Sequence, residues 1–133
     1  MNLVSIRIIT ANIEEMITFY ERITGSPAIR YTADFAEVKT KTATLAIGST
    51  RTLGFFGGNS VAEAAHNRSV IIEFLVADVD EEFRRLNPLL KEAAVQEPTV
   101  MPWGNKSLLL RDPDGNLVNL FTPQSPEAIA KFE

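Results

Sequence analysis

Apolar positions in this chain recur with two different periods. VSIRII (4–9) and SVIIEFLV (69–76) are short apolar runs of strand type, and each leads into an acidic stretch of helical type. In the first stretch Ile13, Met16, Ile17, Tyr20 and Ile23 recur at helical spacing and form one apolar stripe, which predicts a helix with Phe19 and Tyr20 in its core. Asn12 is placed to cap it, with Glu15 three residues on to return the bond, and Thr24-Gly25 ends it. In the second stretch Val79, Phe83 and Leu86 make the stripe, and Asp78 with Glu81 repeats the cap. Pro88 should break that helix and leave LLKEAA (89–94) as a separate turn.

These two units are copies of one pattern. IITANIEEMITFY (8–20) aligns with FLVADVDEEFRRL (74–86) at an offset of 66 residues, about half the chain. After the first helix, PAIRYT, FAEVKT, ATLAI and RTLGFF all have strand composition, one more than the pattern needs, so the register in 35–56 stays open. After the second come AVQEP (94–98), KSLLLR (106–111) and NLVNLF (116–121). GGNSVAEAAHNR (57–68) is small and polar and supplies a linker over about 58–68. SPEAIAKFE (125–133) has a Ser cap followed by Pro and predicts a short terminal helix. The chain therefore reads as a single α+β domain of two tandem βαβββ modules, 1–57 and 69–122, with a tail helix over 125–133.

Strand alternation assigns faces. Val4, Ile6 and Ile8 should pack under the first helix, which turns Leu3, Ser5, Arg7 and Ile9 the other way. In the second module Val70, Ile72, Phe74 and Val76 take the helix side and Ile71, Glu73 and Leu75 the opposite one. Arg7 and Glu73 are equivalent under the repeat, so a basic and an acidic residue occupy matching places. Asn119 shares its face with Leu117 and Phe121, and an amide there must find hydrogen-bond partners.

Composition narrows the classes. With 133 residues, 45% apolar and 23% charged, the chain can bury a core. A net charge of −4 with scattered Lys and Arg argues against nucleic acid as a partner. The absence of cysteine excludes disulfides and thiolate metal sites and gives no reason to expect secretion. No run of about 18 apolar residues predicts a membrane span, and the first residues lack the pattern of a cleaved leader, so a cytoplasmic protein is expected.

The paired modules, with FYERITG closing the first helix and PWGNKSLLLRDPDGNLVNLF near the end, resemble the vicinal oxygen chelate superfamily of glyoxalase I, bleomycin resistance proteins and extradiol dioxygenases. The resemblance spans essentially the whole chain, although DPDG alone is only a tight-turn sequence. It implies a curved mixed sheet around a cavity, commonly a homodimer, and in metal-dependent members one divalent ion held by His, Glu or Gln. Two ligands come from each module, on its first and last strands. Carried onto this chain, those positions fall on Ser5, on Ile71, on Asn119, and on either Leu53–Gly54 or the window Ala43–Ile47. None supplies imidazole or carboxylate, the donors that offset dehydration of a divalent ion. The lone histidine, His66, lies in the linker, so no metal and no other cofactor is expected.

The candidate ligand-binding residues are then Ser5, Arg7, Ile71, Glu73, Trp103, Asn119 and Phe121, with Phe35, Phe55 and Phe56 as further wall residues. Trp103 is as readily core as pocket wall. Arg7 and Glu73 admit two readings. They form a structural ion pair or simply reach solvent, or else they contact a ligand, with Glu73 the candidate catalytic base. The leading expectation is a metal-free protein that binds or sequesters a small, mostly apolar organic molecule. The alternatives are a metal-independent isomerase or lyase using Glu73, with Arg7 or Asn119 holding an oxyanion, and a glyoxalase-like metalloenzyme.

Overall fold

The structure is a computed structural model that describes residues 1–133. It contains two four-stranded mixed sheets with helices, an α+β architecture. The chain divides into two compact units, Met1–Asn67 and Arg68–Glu133.

In the first unit β1 (Ser5–Thr10) leads to α1 (Ile13–Thr24), followed by β2 (Ile29–Thr32), β3 (Phe35–Lys39) and β4 (Thr44–Ser49). The sheet order is β1-β4-β3-β2, with β1 parallel to β4 and the other pairs antiparallel. α1 packs on β3 and β4 and buries Ile13, Met16, Ile17, Phe19, Tyr20 and Ile23. Opposite them lie Ala36, Val38, Leu45 and Ile47, all buried, and each large apolar side chain in this layer contributes roughly 1.5–3 kcal/mol. The helix starts where its sequence says: Asn12 Oδ1 accepts from the Glu15 N–H, and Gly25 closes the other end in a left-handed conformation. The return bond differs from the expected one. Glu15 accepts from the Asn12 side-chain amide at 2.9 Å, because the Asn12 backbone N–H already donates to Thr10 Oγ1.

The second unit repeats this order. β5 (Ile71–Leu75) leads to α2 (Val79–Arg85) and α3 (Asn87–Ala93), and then to β6 (Ala94–Val100), β7 (Asn105–Arg111) and β8 (Leu117–Pro123), with sheet order β5-β8-β7-β6. Pro88 sits in the first turn of α3, so the expected break becomes a second short helix and not an isolated turn. Ile72, Leu108, Leu110, Val118 and Leu120 form the buried layer on the helix side. Asp78 caps α2 through the Asp80 and Glu81 N–H groups. A carboxylate cannot donate, so the side-chain return bond of α1 has no counterpart here. α4 (Pro126–Lys131) closes the chain, its first turn capped by Ser125 Oγ from the Ala128 N–H.

One segment departs from the sequence expectation. RTLGFF is not a strand but most of a 3-10 helix, Thr50–Phe56. Ser49 caps it by accepting the Arg51 N–H, and Gly57 ends it at φ 103°. The last strand of the first module is therefore β4, which closes the open register in 35–56.

Candidate functional site

The parallel pairing of first and last strands shows which residues of the two modules correspond, without recourse to loop length. Glu73 pairs with Asn119 in the second sheet, and its repeat equivalent Arg7 pairs with Ala46 in the first. Ala46 is thus the counterpart of Asn119, inside the window Ala43–Ile47 and not at Leu53 or Gly54. The positions that the resemblance implies are then Ser5 and Ala46 in the first module, Ile71 and Asn119 in the second. A hydroxyl, a methyl, an aliphatic chain and one amide do not suit a divalent ion, which needs imidazole or carboxylate. The amide is moreover committed: Asn119 Nδ2 donates to Glu73 Oε2 at 2.7 Å. No group of three or more His, Asp or Glu side chains is placed to hold an ion. His66 is exposed and lies 3.1 Å from Glu63 in the linker.

The Glu73–Asn119 pair is set by the parallel register of β5 on β8, and the turn before β8 fixes the other edge of that strand. Asp112 is buried, and its Oδ1 accepts from the Asp114 and Asn116 N–H groups while Oδ2 accepts from the Asn116 amide. That network, closed by Gly115 at φ 83°, joins β7 to β8 and sets Asn119 opposite Leu109 on that side. Only the NH2 of Asn119 can face a carboxylate, so Oδ1 is directed away from it. Asn119 Oδ1 and Ser107 Oγ, on the same face, are buried without a partner.

The first module builds a different site. The Arg7 guanidinium carbon stands 4.6 Å from the Phe35 ring centre and 5.3 Å from that of Phe56. Both rings attract the cation, at about 0.5–1 kcal/mol each where exposed. Within its own module no carboxylate pairs with Arg7. Glu37, on the same face, lies 4.0 Å from Lys39 instead. A cavity of about 410 Å³ opens beside these groups, lined by Arg7, Thr32, Asp34, Phe35, Arg51, Thr52, Phe55 and Phe56. Gly48 helps make the room, since a Cβ there would approach Thr52 Oγ1 to 3.3 Å and the Arg7 stem to 3.8 Å.

Asp34 holds the rim of this cavity together. Its Oδ1 accepts from Ser49 Oγ at 2.7 Å and from Arg51 Nε, and its carbonyl accepts the Ser49 N–H. This ties the β2–β3 turn to the start of the 3-10 helix, which carries Phe56. The Ser49 hydrogen bond first, then that from Arg51, hold the Asp34 carboxyl below its ordinary range. A depressed carboxylate stabilises the fold above its unfolded pKa, and that contribution is lost as pH falls through the folded value. Carbon-13 titration of the Asp34 carboxyl should therefore give a midpoint below that of an unperturbed Asp, moving upward in Arg51→Met. An unshifted midpoint in the unmodified protein would contradict the clasp.

The sequence candidates are thus distributed unevenly. Ser5 and Arg7 share one face of β1, and Ile71 and Glu73 one face of β5, as alternation implies. Trp103 is 65% exposed in the β6–β7 turn and is neither core nor on the face that holds Glu73 and Asn119. Phe121 is 6% exposed with its ring 5.4 Å from Phe132, so the tail covers it and leaves no open wall there. Asp34, Arg51 and Thr52 went unnoticed in the sequence. The available signal was RTLGFFGG, where two aromatics run directly into two glycines, an unpromising end for a buried strand.

Comparison with known proteins matches the model of the Glyoxalase/Bleomycin resistance protein/Dioxygenase superfamily over residues 2–120. Among solved structures, a protein described as a conserved domain protein is 27% identical, with TM-score 0.73, over 93% of this chain and 100% of the other. A glyoxalase/bleomycin resistance protein/dioxygenase family enzyme from Burkholderia phytofirmans PsJN superposes with TM-score 0.78 at 18% identity, over 92% of this chain and 99% of the other. A glyoxalase/bleomycin resistance protein/dioxygenase from Nocardioides gives TM-score 0.74 at 18% identity, over 94% and 85%. The last two likenesses show the fold alone. Comparison with curated proteins gives no match. No helix is long and apolar enough to cross a membrane.

Proposed function

Because the chain belongs to the glyoxalase/bleomycin resistance protein/dioxygenase superfamily, yet has Ser5, Ala46, Ile71 and Asn119 where that family's metal ligands fall, we propose that it binds a small organic molecule without a metal. The observation that carries this reading is the first module's cavity. It offers about 410 Å³, a size suited to a small ligand, with Phe35, Phe55 and Phe56 as apolar wall and Arg7 as polar anchor. Phe55 is 88% exposed, a large apolar surface that a bound molecule would cover.

A second reading, a metal-independent isomerase or lyase, rests on Glu73. Its carboxylate is exposed and oriented by the Asn119 amide, as a general base would be. A thermal-shift screen of small organic molecules followed by product analysis separates the two. Binding requires hits that raise the melting temperature of the unmodified protein, lose at least half of that rise in Phe35→Ala, and come back chemically unchanged. Turnover of a hit, abolished by Glu73→Gln, would replace the binding reading with the enzymatic one.

A further inference from the structure

We infer that the first module's cavity selects organic anions with a flat apolar body, of which aryl carboxylates are the simplest class. This names the ligand class for the binding reading above and rests on it. Three features converge. The Arg7 guanidinium carbon stands over the Phe35 and Phe56 rings, which attract its charge without using its N–H donors. Those donors bond to no group of the first module, and no carboxylate there is paired with them, so a charged fork stands at the cavity without its counter-ion. Guanidinium and carboxylate match as two parallel N–H···O bonds, which is the geometry the free donors can offer.

The charge balance of the wall points the same way. Arg7 and Arg51 are its cations and Asp34 its one anion, with Asp34 already bound to Arg51 and Ser49. The wall thus carries one uncompensated positive charge in a chain whose net charge is −4. An acidic protein that keeps a local positive site attracts an anion to that place and repels it elsewhere. The flat body follows from the walls. Phe35, Phe55 and Phe56 present ring surface, Phe55 with most of its ring uncovered, and ring surface is best covered by another flat apolar group.

Isothermal titration with three probes that share one ring system tests this: 2-naphthoate, the neutral 2-naphthamide, and the cationic 2-naphthylmethylammonium. The expected order is naphthoate tightest by about tenfold or more, as a hydrogen bond to a charged group implies, then the amide, then the cation. Arg7→Met should bring naphthoate down to the affinity of the amide, and Arg7→Lys should recover only part of the difference because an ammonium lacks the fork. Arg7 is an exposed residue, and matching melting temperatures of the free variants confirm that the fold persists. Equal affinity for naphthoate and naphthamide, or a preference that survives Arg7→Met, overturns the anion assignment while leaving ligand binding intact. Failure of all three probes to bind overturns the anion assignment, and a thermal-shift screen without a hit overturns the binding reading as well.

Discussion

Gly104→Ala is expected to destabilise the protein by about 3 kcal/mol and to release the C-terminal helix. Gly104 adopts φ 94°, a region that costs a residue with a Cβ about 1–2 kcal/mol. A Cβ there would also lie 2.7 Å from Ser125 Cβ, closer still to Ser125 Oγ, and 3.3 Å from Ala128 Cβ. Ser125 has little freedom to retreat. Its hydroxyl caps α4, and its N–H together with that of Gln124 donates to the Gly104 carbonyl. Moving it undoes the cap, the clasp and the docking that sets Phe132 against Phe121. Thermal unfolding should show a melting temperature lower by roughly 10 °C, with faster tryptic cleavage at Lys131. Gly54→Ala is the control, since a Cβ at Gly54 meets nothing within 4 Å and the backbone is not left-handed there. A Gly104→Ala protein that melts with the unmodified one would show that the tail is not held in this way.

Ile47→Ala should cost about as much for a different reason. Ile47 is fully buried in β4, between Ile8 of β1 and Ala36 of β3, on the side that meets α1. Removing its side-chain carbons forfeits transfer energy and leaves a cavity that flanking β-strands cannot collapse, about 3 kcal/mol in all. That is a large part of the 5–15 kcal/mol typical of a domain. Urea unfolding should show the midpoint lowered by about 1–2 M with little change in slope. Ile6→Ala, on the same face of β1 but 43% exposed, should cost well under half as much. Equal losses at the two positions would mean that the sheet does not bury its centre as described.

The sequence made the modules readable because their signals are local. Asn12 with Glu15, Asp78 and Ser125 each cap a helix within a few residues of themselves, and the apolar stripe of α1 needs only the helical period. Strand alternation placed Ser5, Arg7, Ile71 and Glu73 on their faces for the same reason. What was hidden depends on partners distant in sequence. The tail that covers Phe121 arrives through Phe132, and the bond between Glu73 and Asn119 spans 46 residues and is set by strand register. RTLGFF has strand composition, but the Ser49 cap and Gly57 decide its conformation, and composition does not weigh them.

The repeat also carried a limited promise. Its offset of 66 residues holds for the first strands, yet Ala46 and Asn119 are 73 apart. Most of the drift arises because β6 and β7 are seven residues each, whereas β2 and β3 are four and five, and the turns that follow β6 and β7 are longer as well. A position on the last strand could therefore not be carried from one module to the other by counting. Strand pairing places it, and the residue it finds is Ala46.

The claim at the centre of this account is that the family's metal has no place on this chain. The direct test is the metal content of protein purified without chelator and then equilibrated with zinc, nickel, iron(II) or manganese before gel filtration. The expected result is far less than one equivalent of any of these ions per chain. One tightly held equivalent, lost on substitution of Ser5 or Asn119 by alanine, would contradict it.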